Sequence, residues 1–143
     1  MFFADTFRVL DKAEIRYLVV GGVAVVLHGF VRATADLDLM VDFERANLNR
    51  FLELMKSRGY RPKAPVAIEA FADPENRRSW REEKGMKVFT LQHPQRAGEL
   101  LDVFSWEPIP FPEAYARRFI VPMEGYSISV ASISDLIALK RPV

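Results

Sequence analysis

The sequence contains no cysteine and only two histidines, His28 and His93, among its 143 residues. Disulfides and thiolate metal sites are therefore excluded, and any metal here must rely on oxygen or imidazole ligands. Long hydrophobic runs are also missing, since no apolar stretch approaches the length that spans a bilayer. The opening Met1-Phe2-Phe3-Ala4-Asp5 lacks the basic region and apolar core of a secretory signal, so a cytosolic location with no membrane partner is expected. Charge of one sign is lacking too. Twenty Lys and Arg face 19 Asp and Glu, a net charge of +1, which gives no global attraction to nucleic acid or acidic membranes.

What is present is ordinary for a globular chain: 50% hydrophobic and 27% charged residues, enough to bury a core. The length predicts a single domain over residues 1–143. Residues 4–13 place Phe7, Leu10 and Ala13 on one helical face. Ile15 to Val20 is an apolar, β-rich run stopping at Gly21-Gly22, and Val23 to His28 follows as a short helix ended by Gly29. Asp36 to Val41 alternates polar and apolar as a strand. Leu48, Phe51, Leu52 and Met55 fall at helical spacing in the clearest helix, Glu44 to Ser57.

Pro62, Pro65 and Pro74 punctuate the irregular stretch from Arg61 to Gly85, with a short helix near Glu75–Glu83. Met86–Gln92 and Glu99–Trp106 read as an antiparallel pair joined through His93-Pro94-Gln95. Glu113–Arg118 forms a helical turn or two, and Tyr126–Val130 a further strand. Ser132 and Asp135 resemble a capping box opening a helix to Lys140. Early alternation of strands and helices with late strand pairing predicts an α/β (α+β) fold, a small mixed sheet flanked by helices.

Two features carry chemistry. In Tyr17-Leu18-Val19-Val20-Gly21-Gly22-Val23-Ala24, glycines between a strand and a helix let backbone approach a ligand, and the helix start suits phosphate. In Asp36-Leu37-Asp38-Leu39, strand geometry points both carboxylates to one face with Cα atoms about 7 Å apart. Such a pair repels unless a cation neutralises it, and oxygen-only ligands favour Mg²⁺ or Mn²⁺. Each feature alone also has a plain structural account, a tight turn or the wet face of an edge strand. Asp102, in Leu100-Leu101-Asp102-Val103-Phe104, is not expected to be buried without a partner in so apolar a strand. It is a third metal ligand, a base on an incoming hydroxyl, or, more plainly, a half-exposed strand aspartate or one paired with a nearby arginine.

Taken jointly, Gly21-Gly22, the Asp36-x-Asp38 pair and the later Asp102 strand resemble the DNA polymerase beta-type nucleotidyltransferase superfamily. The closer likeness is to small bacterial nucleotidyltransferase-like proteins, among them aminoglycoside nucleotidyltransferases and toxins of toxin–antitoxin and abortive-infection systems. The resemblance implies the nucleotidyltransferase fold and Mg²⁺-dependent transfer of a nucleoside monophosphate from a triphosphate such as ATP to a hydroxyl. The acceptor, a small molecule, RNA or protein, stays open. In that reading Gly21 and Gly22 hold the triphosphate, Asp36 and Asp38 bind metal, Asp102 is the third carboxylate, and Lys140 reaches a phosphate. A partner protein or antitoxin is a further expectation. The rival is a catalytically inactive module of the same fold, used for nucleotide sensing or protein binding.

Other residues are read more plainly. Arg32 and Thr34 precede the aspartate pair, where Arg32 is a candidate phosphate contact. His28 is read as a cap or packing residue and His93 as a turn residue. Arg77, Arg78, Trp80, Arg81, Lys84 and Lys87 are read as a solvated helix face, with RNA contact as the alternative. Phe104, Trp106 and Phe111 are assigned to core or an association surface.

Overall fold

The structure is a computed structural model that describes residues 3–29, 36–96 and 98–140. The elements run α1 (Ala4–Lys12), β1 (Tyr17–Val20), α2 (Gly21–Leu27), β2 (Asp36–Val41), α3 (Arg45–Ser57) and β3 (Arg61–Pro62). A 3-10 helix (Ile68–Ala72) then leads to α4 (Pro74–Lys84), β4 (Val88–Gln92) and β5 (Leu100–Phe104). The chain closes with α5 (Phe111–Ala116), β6 (Phe119–Met123), β7 (Tyr126–Val130) and α6 (Ile133–Lys140).

All seven strands form one mixed sheet in the order β3-β4-β5-β2-β1-β7-β6. β2 runs parallel to β5 and antiparallel to β1, and β1 runs parallel to β7. β4 pairs antiparallel with both β5 and β3, and β6 antiparallel with β7. β4 and β5 thus form the expected antiparallel pair. β3, the 3-10 helix and β6 are additions. Arg61-Pro62 is too short for a periodic signal, and β6 is exposed at most positions on both faces, so it carries no alternation to read.

Local signals place the helices. Glu44 caps α3, its carboxylate accepting from the backbone N–H of Ala46 (2.7 Å) and Asn47 (3.2 Å). Asn47 is fully buried yet satisfied. Its Nδ2 donates to the carbonyls of Asp42 and Arg16, and its Oδ1 accepts from Arg16 N–H. One amide thereby ties the start of β1 to the end of β2, as a buried polar group requires. Asp73 caps α4, Pro74 stands at its first position and Gly85 ends it with φ +64°, the usual asymmetry of helix ends.

The core is aromatic under β4. Phe89 stacks on Phe71 at 4.8 Å and on Trp80 of α4 at 5.5 Å between ring centroids. This corrects the solvated reading of α4. Trp80 is buried, and so is Arg77, whose Nη1 donates to the Phe71 carbonyl at 2.6 Å with its guanidinium over the Phe43 ring. Only the rest of that cluster faces water, where Arg78 pairs with Glu75 and Glu82.

At the other side of the sheet Ser132 Oγ accepts from Asp135 N–H, as a capping box requires, but the Asp135 carboxylate turns away to bind Arg117 at 2.7 and 2.8 Å. That guanidinium holds the Asp135 carboxyl below the ordinary carboxylate range. Among the described residues no helix is long and apolar enough to cross a membrane.

Candidate active site

Strand alternation gives β2, β5 and β4 two unlike faces. Leu37, Leu39, Leu101, Val103, Phe89 and Leu91 are all fully or almost fully buried on one face. The other face carries Asp36 and Asp38 of β2, Leu100, Asp102 and Phe104 of β5, and Val88, Thr90 and Gln92 of β4, and each of these is half-buried or exposed. Five of these eight are polar, the mixture expected of a sheet face left partly open to water.

Register then brings the candidates together. Val20, Asp38, Asp102 and Thr90 are successive cross-strand partners over β1, β2, β5 and β4. Partners in register project to the same face with neighbouring strands about 4.8 Å apart, so Asp38 and Asp102 stand side by side. Asp36 begins the next row, opposite Leu100 and then Gln92. Thr90 was not expected from sequence. Its Oγ1 donates to Asp102 Oδ1 at 2.7 Å, fixing one carboxylate oxygen. The trace of this in the sequence is the alternation Val88-Phe89-Thr90-Leu91-Gln92, but only strand pairing shows which residue Thr90 meets.

Gly21 abuts this row. It is the first residue of α2 and has φ +69°, a conformation that costs an L-residue about 1–2 kcal/mol. A Cβ built on it would lie 2.2 Å from Asp38 Oδ2. Glycine is therefore required at 21 for the backbone turn and for contact with the aspartate. The helix begins at Gly21 itself, so both glycines sit in its first turn rather than in a loop ahead of it.

The remaining candidates fall elsewhere. Arg32 and Thr34 lie outside the described residues. Lys140 is in the last turn of α6 and lines an apolar groove of ≈ 190 Å³ with Val25 of α2, His28 just after it, and Ile133, Leu136 and Ile137 of α6, a groove in which none of the three aspartates takes part. His28 is a packing residue, bonded through Nε2 to the Ala131 carbonyl at 2.9 Å and stacked on Phe119. His93 holds a turn, through the Arg58 carbonyl and Gln95 N–H.

For a divalent cation the donor chemistry fits. Three carboxylates share one half-open face, and Gly21 leaves room at Asp38 Oδ2. Oxygen donors of this kind suit Mg²⁺ or Mn²⁺. Among the described residues, however, no three His, Cys, Asp or Glu side chains converge into a formed cage. The carboxylates are neighbours by register on β2 and β5.

No protein-family model matches the sequence, and no curated protein matches it. Among solved structures the chain is similar to the lincosamide antibiotic adenylyltransferase LnuA with lincomycin bound, with a TM-score of 0.60 at 13% identity. The likeness covers 96% of this chain and 82% of that one. The mixed sheet and flanking helices are thus a fold shared with that adenylyltransferase.

Proposed function

We propose that this chain moves a nucleoside monophosphate from a nucleoside triphosphate to a hydroxyl acceptor. The observation that carries the reading is the row Asp38–Asp102–Thr90, with Gly21 closed against Asp38. A fold shared with an adenylyltransferase supports it.

In this reading Gly21 and Gly22 give the triphosphate close backbone approach, with Arg32 as a further phosphate contact. Asp36, Asp38 and Asp102 would hold Mg²⁺, which when bound offsets charge on the phosphates. Asp102, pinned at Oδ1 by Thr90, presents Oδ2 to the acceptor hydroxyl and takes its proton. The acceptor oxygen bonds to the α-phosphorus as the bond to the bridging oxygen breaks, and pyrophosphate leaves with that electron pair. A cytosolic setting and an antitoxin-like partner belong to the same reading.

Calorimetric titration with ATP in Mg²⁺ tests this. Saturable binding is expected, with loss of at least tenfold affinity in Asp36→Asn/Asp38→Asn, equivalent to about 1.4 kcal/mol. A parent protein that binds neither Mg²⁺ nor any nucleoside triphosphate refutes it. Tight binding with no pyrophosphate released in the presence of any acceptor selects the nucleotide-sensing module instead.

A further inference from the structure

The open face continues past the carboxylates to the sheet edge, and there its chemistry changes sign. The row Asp36–Leu100–Gln92 ends at Arg61 of β3, the register partner of Gln92. The row Asp38–Asp102–Thr90 continues to Lys63, whose backbone N–H donates to the Thr90 carbonyl at 2.9 Å. Both ranks thus run from an acid at β2, joined in the second by Asp102 at β5, through an amide or a hydroxyl at β4, to a cation at or beside β3. Arg61 and Lys63 are exposed, and neither forms an ion pair among the described residues.

A cleft of ≈ 350 Å³ follows the first of these rows, lined by Arg61, Gln92 and Leu100 together with Arg96. Among the described residues the Arg96 guanidinium has one ion pair, a long 3.4 Å contact to Asp5. Two strand spacings separate Asp102 from the cationic rim, about 10 Å.

We propose that Arg61 and Lys63, with Arg96 beside them, form a subsite for a phosphate group of the hydroxyl acceptor, which spans β5 to β3 across Thr90 and Gln92. This rests on the reading that Asp102 faces the acceptor hydroxyl, and it names the acceptor's class: a phosphate-bearing hydroxyl compound, neither neutral nor cationic. Guanidinium and ammonium groups without an internal carboxylate lose no ion pair when phosphate binds. The carboxylates would repel the same phosphate if it bound at their end, so the charge gradient also sets the acceptor's direction.

The test is direct binding, independent of turnover. A short fluorescein-labelled uridine oligonucleotide is titrated by fluorescence anisotropy at several salt concentrations, with ribose 5-phosphate and ribose as competitors. Binding that weakens with salt is expected. Arg61→Gln/Lys63→Gln should weaken it about tenfold or more and flatten the salt slope by about 1.4, since each single-strand phosphate contact contributes about 0.7. Arg61→Lys/Lys63→Arg should restore it, and Lys84→Gln, on a helix against the closed face, should bind as the parent does.

Competition by ribose 5-phosphate but not ribose identifies a small phosphorylated acceptor. Competition by unlabelled oligonucleotide alone identifies a nucleic-acid end. No binding by the parent, unchanged binding in the Gln double variant, or equal competition by ribose overturns the subsite. Those outcomes leave ATP binding untouched, so failure here is distinct from failure of the transferase reading.

Discussion

The two faces of β2, β5 and β4 are built from alternate residues of the same strands, yet they do different work. One face is sealed by Leu37, Leu39, Leu101, Val103, Phe89 and Leu91. The other, one residue out of step, is half-open and carries Asp36, Asp38, Asp102, Thr90 and Gln92. Stability resides on the first, and the proposed chemistry belongs to the second. The period of two keeps them apart, because a one-residue slip would exchange them entirely. Substitutions on the closed face should therefore cost folding without altering ligand affinity in the protein that remains folded, and substitutions on the open face should do the reverse.

The largest effect is expected from Phe89→Ala. Phe89 is 1% exposed and stacked between Phe71 and Trp80, so truncation should cost about 3–5 kcal/mol in urea unfolding. ATP affinity measured under fully native conditions should stay within twofold. A loss of affinity as large as that of an aspartate variant would erase the division between the faces.

Gly21→Ala sits at the boundary and should show both effects. The left-handed backbone costs about 1–2 kcal/mol for alanine, and its Cβ would displace the Asp38 carboxylate that lies 2.2 Å from that position. Chemical denaturation and calorimetry on one sample check this. Retained ATP affinity would show that Asp38 can shift without consequence.

A third variant contrasts a carboxylate that holds the fold with those of the proposed site. Asp135 is 4% exposed and bound by both Nε and Nη2 of Arg117. The guanidinium lowers its carboxyl, so its folded value lies below the unfolded one of about 3.9. The stability it confers is complete above that unfolded value and is lost as pH falls through the folded one. Asp135→Asn should melt lower than the parent at neutral pH, with the gap closing below about pH 4. Parallel melting curves at both pH values would exclude this pair as a source of acid sensitivity.

Much of this division was legible in the sequence because it is local. Alternation in Asp36–Val41 fixed which side chains share a face, and helical spacing in Leu48, Phe51, Leu52 and Met55 fixed α3. The glycine pair was visible as well, although its closeness to Asp38 was not, because that contact joins residues seventeen apart across a strand pairing. Thr90 and the Arg61/Lys63 rim were hidden for the same reason. A polar residue at alternate positions announces a wet face, but strand order and register decide what it stands beside. Arg77 and Trp80 misled because their neighbours in sequence are charged, while the aromatic stack that buries Trp80 comes from the 3-10 helix and β4.

The smallest stability effect is expected at the centre of the open face, and it is the most informative. Asp102 and Asp38 are in-register neighbours on parallel strands, where like charges oppose pairing. Asp102→Asn keeps an acceptor oxygen for the Thr90 hydroxyl and removes one of the two charges. Folding stability should change by no more than about 0.5 kcal/mol, or rise slightly. Pyrophosphate release with a phosphate-bearing acceptor should nonetheless fall by about 10²-fold or more, the range assigned to a positioned proton acceptor. A residue that evolution kept for folding would show the opposite pattern. A clear loss of stability with undiminished turnover would move Asp102 from the site to the scaffold and leave the open face without its base.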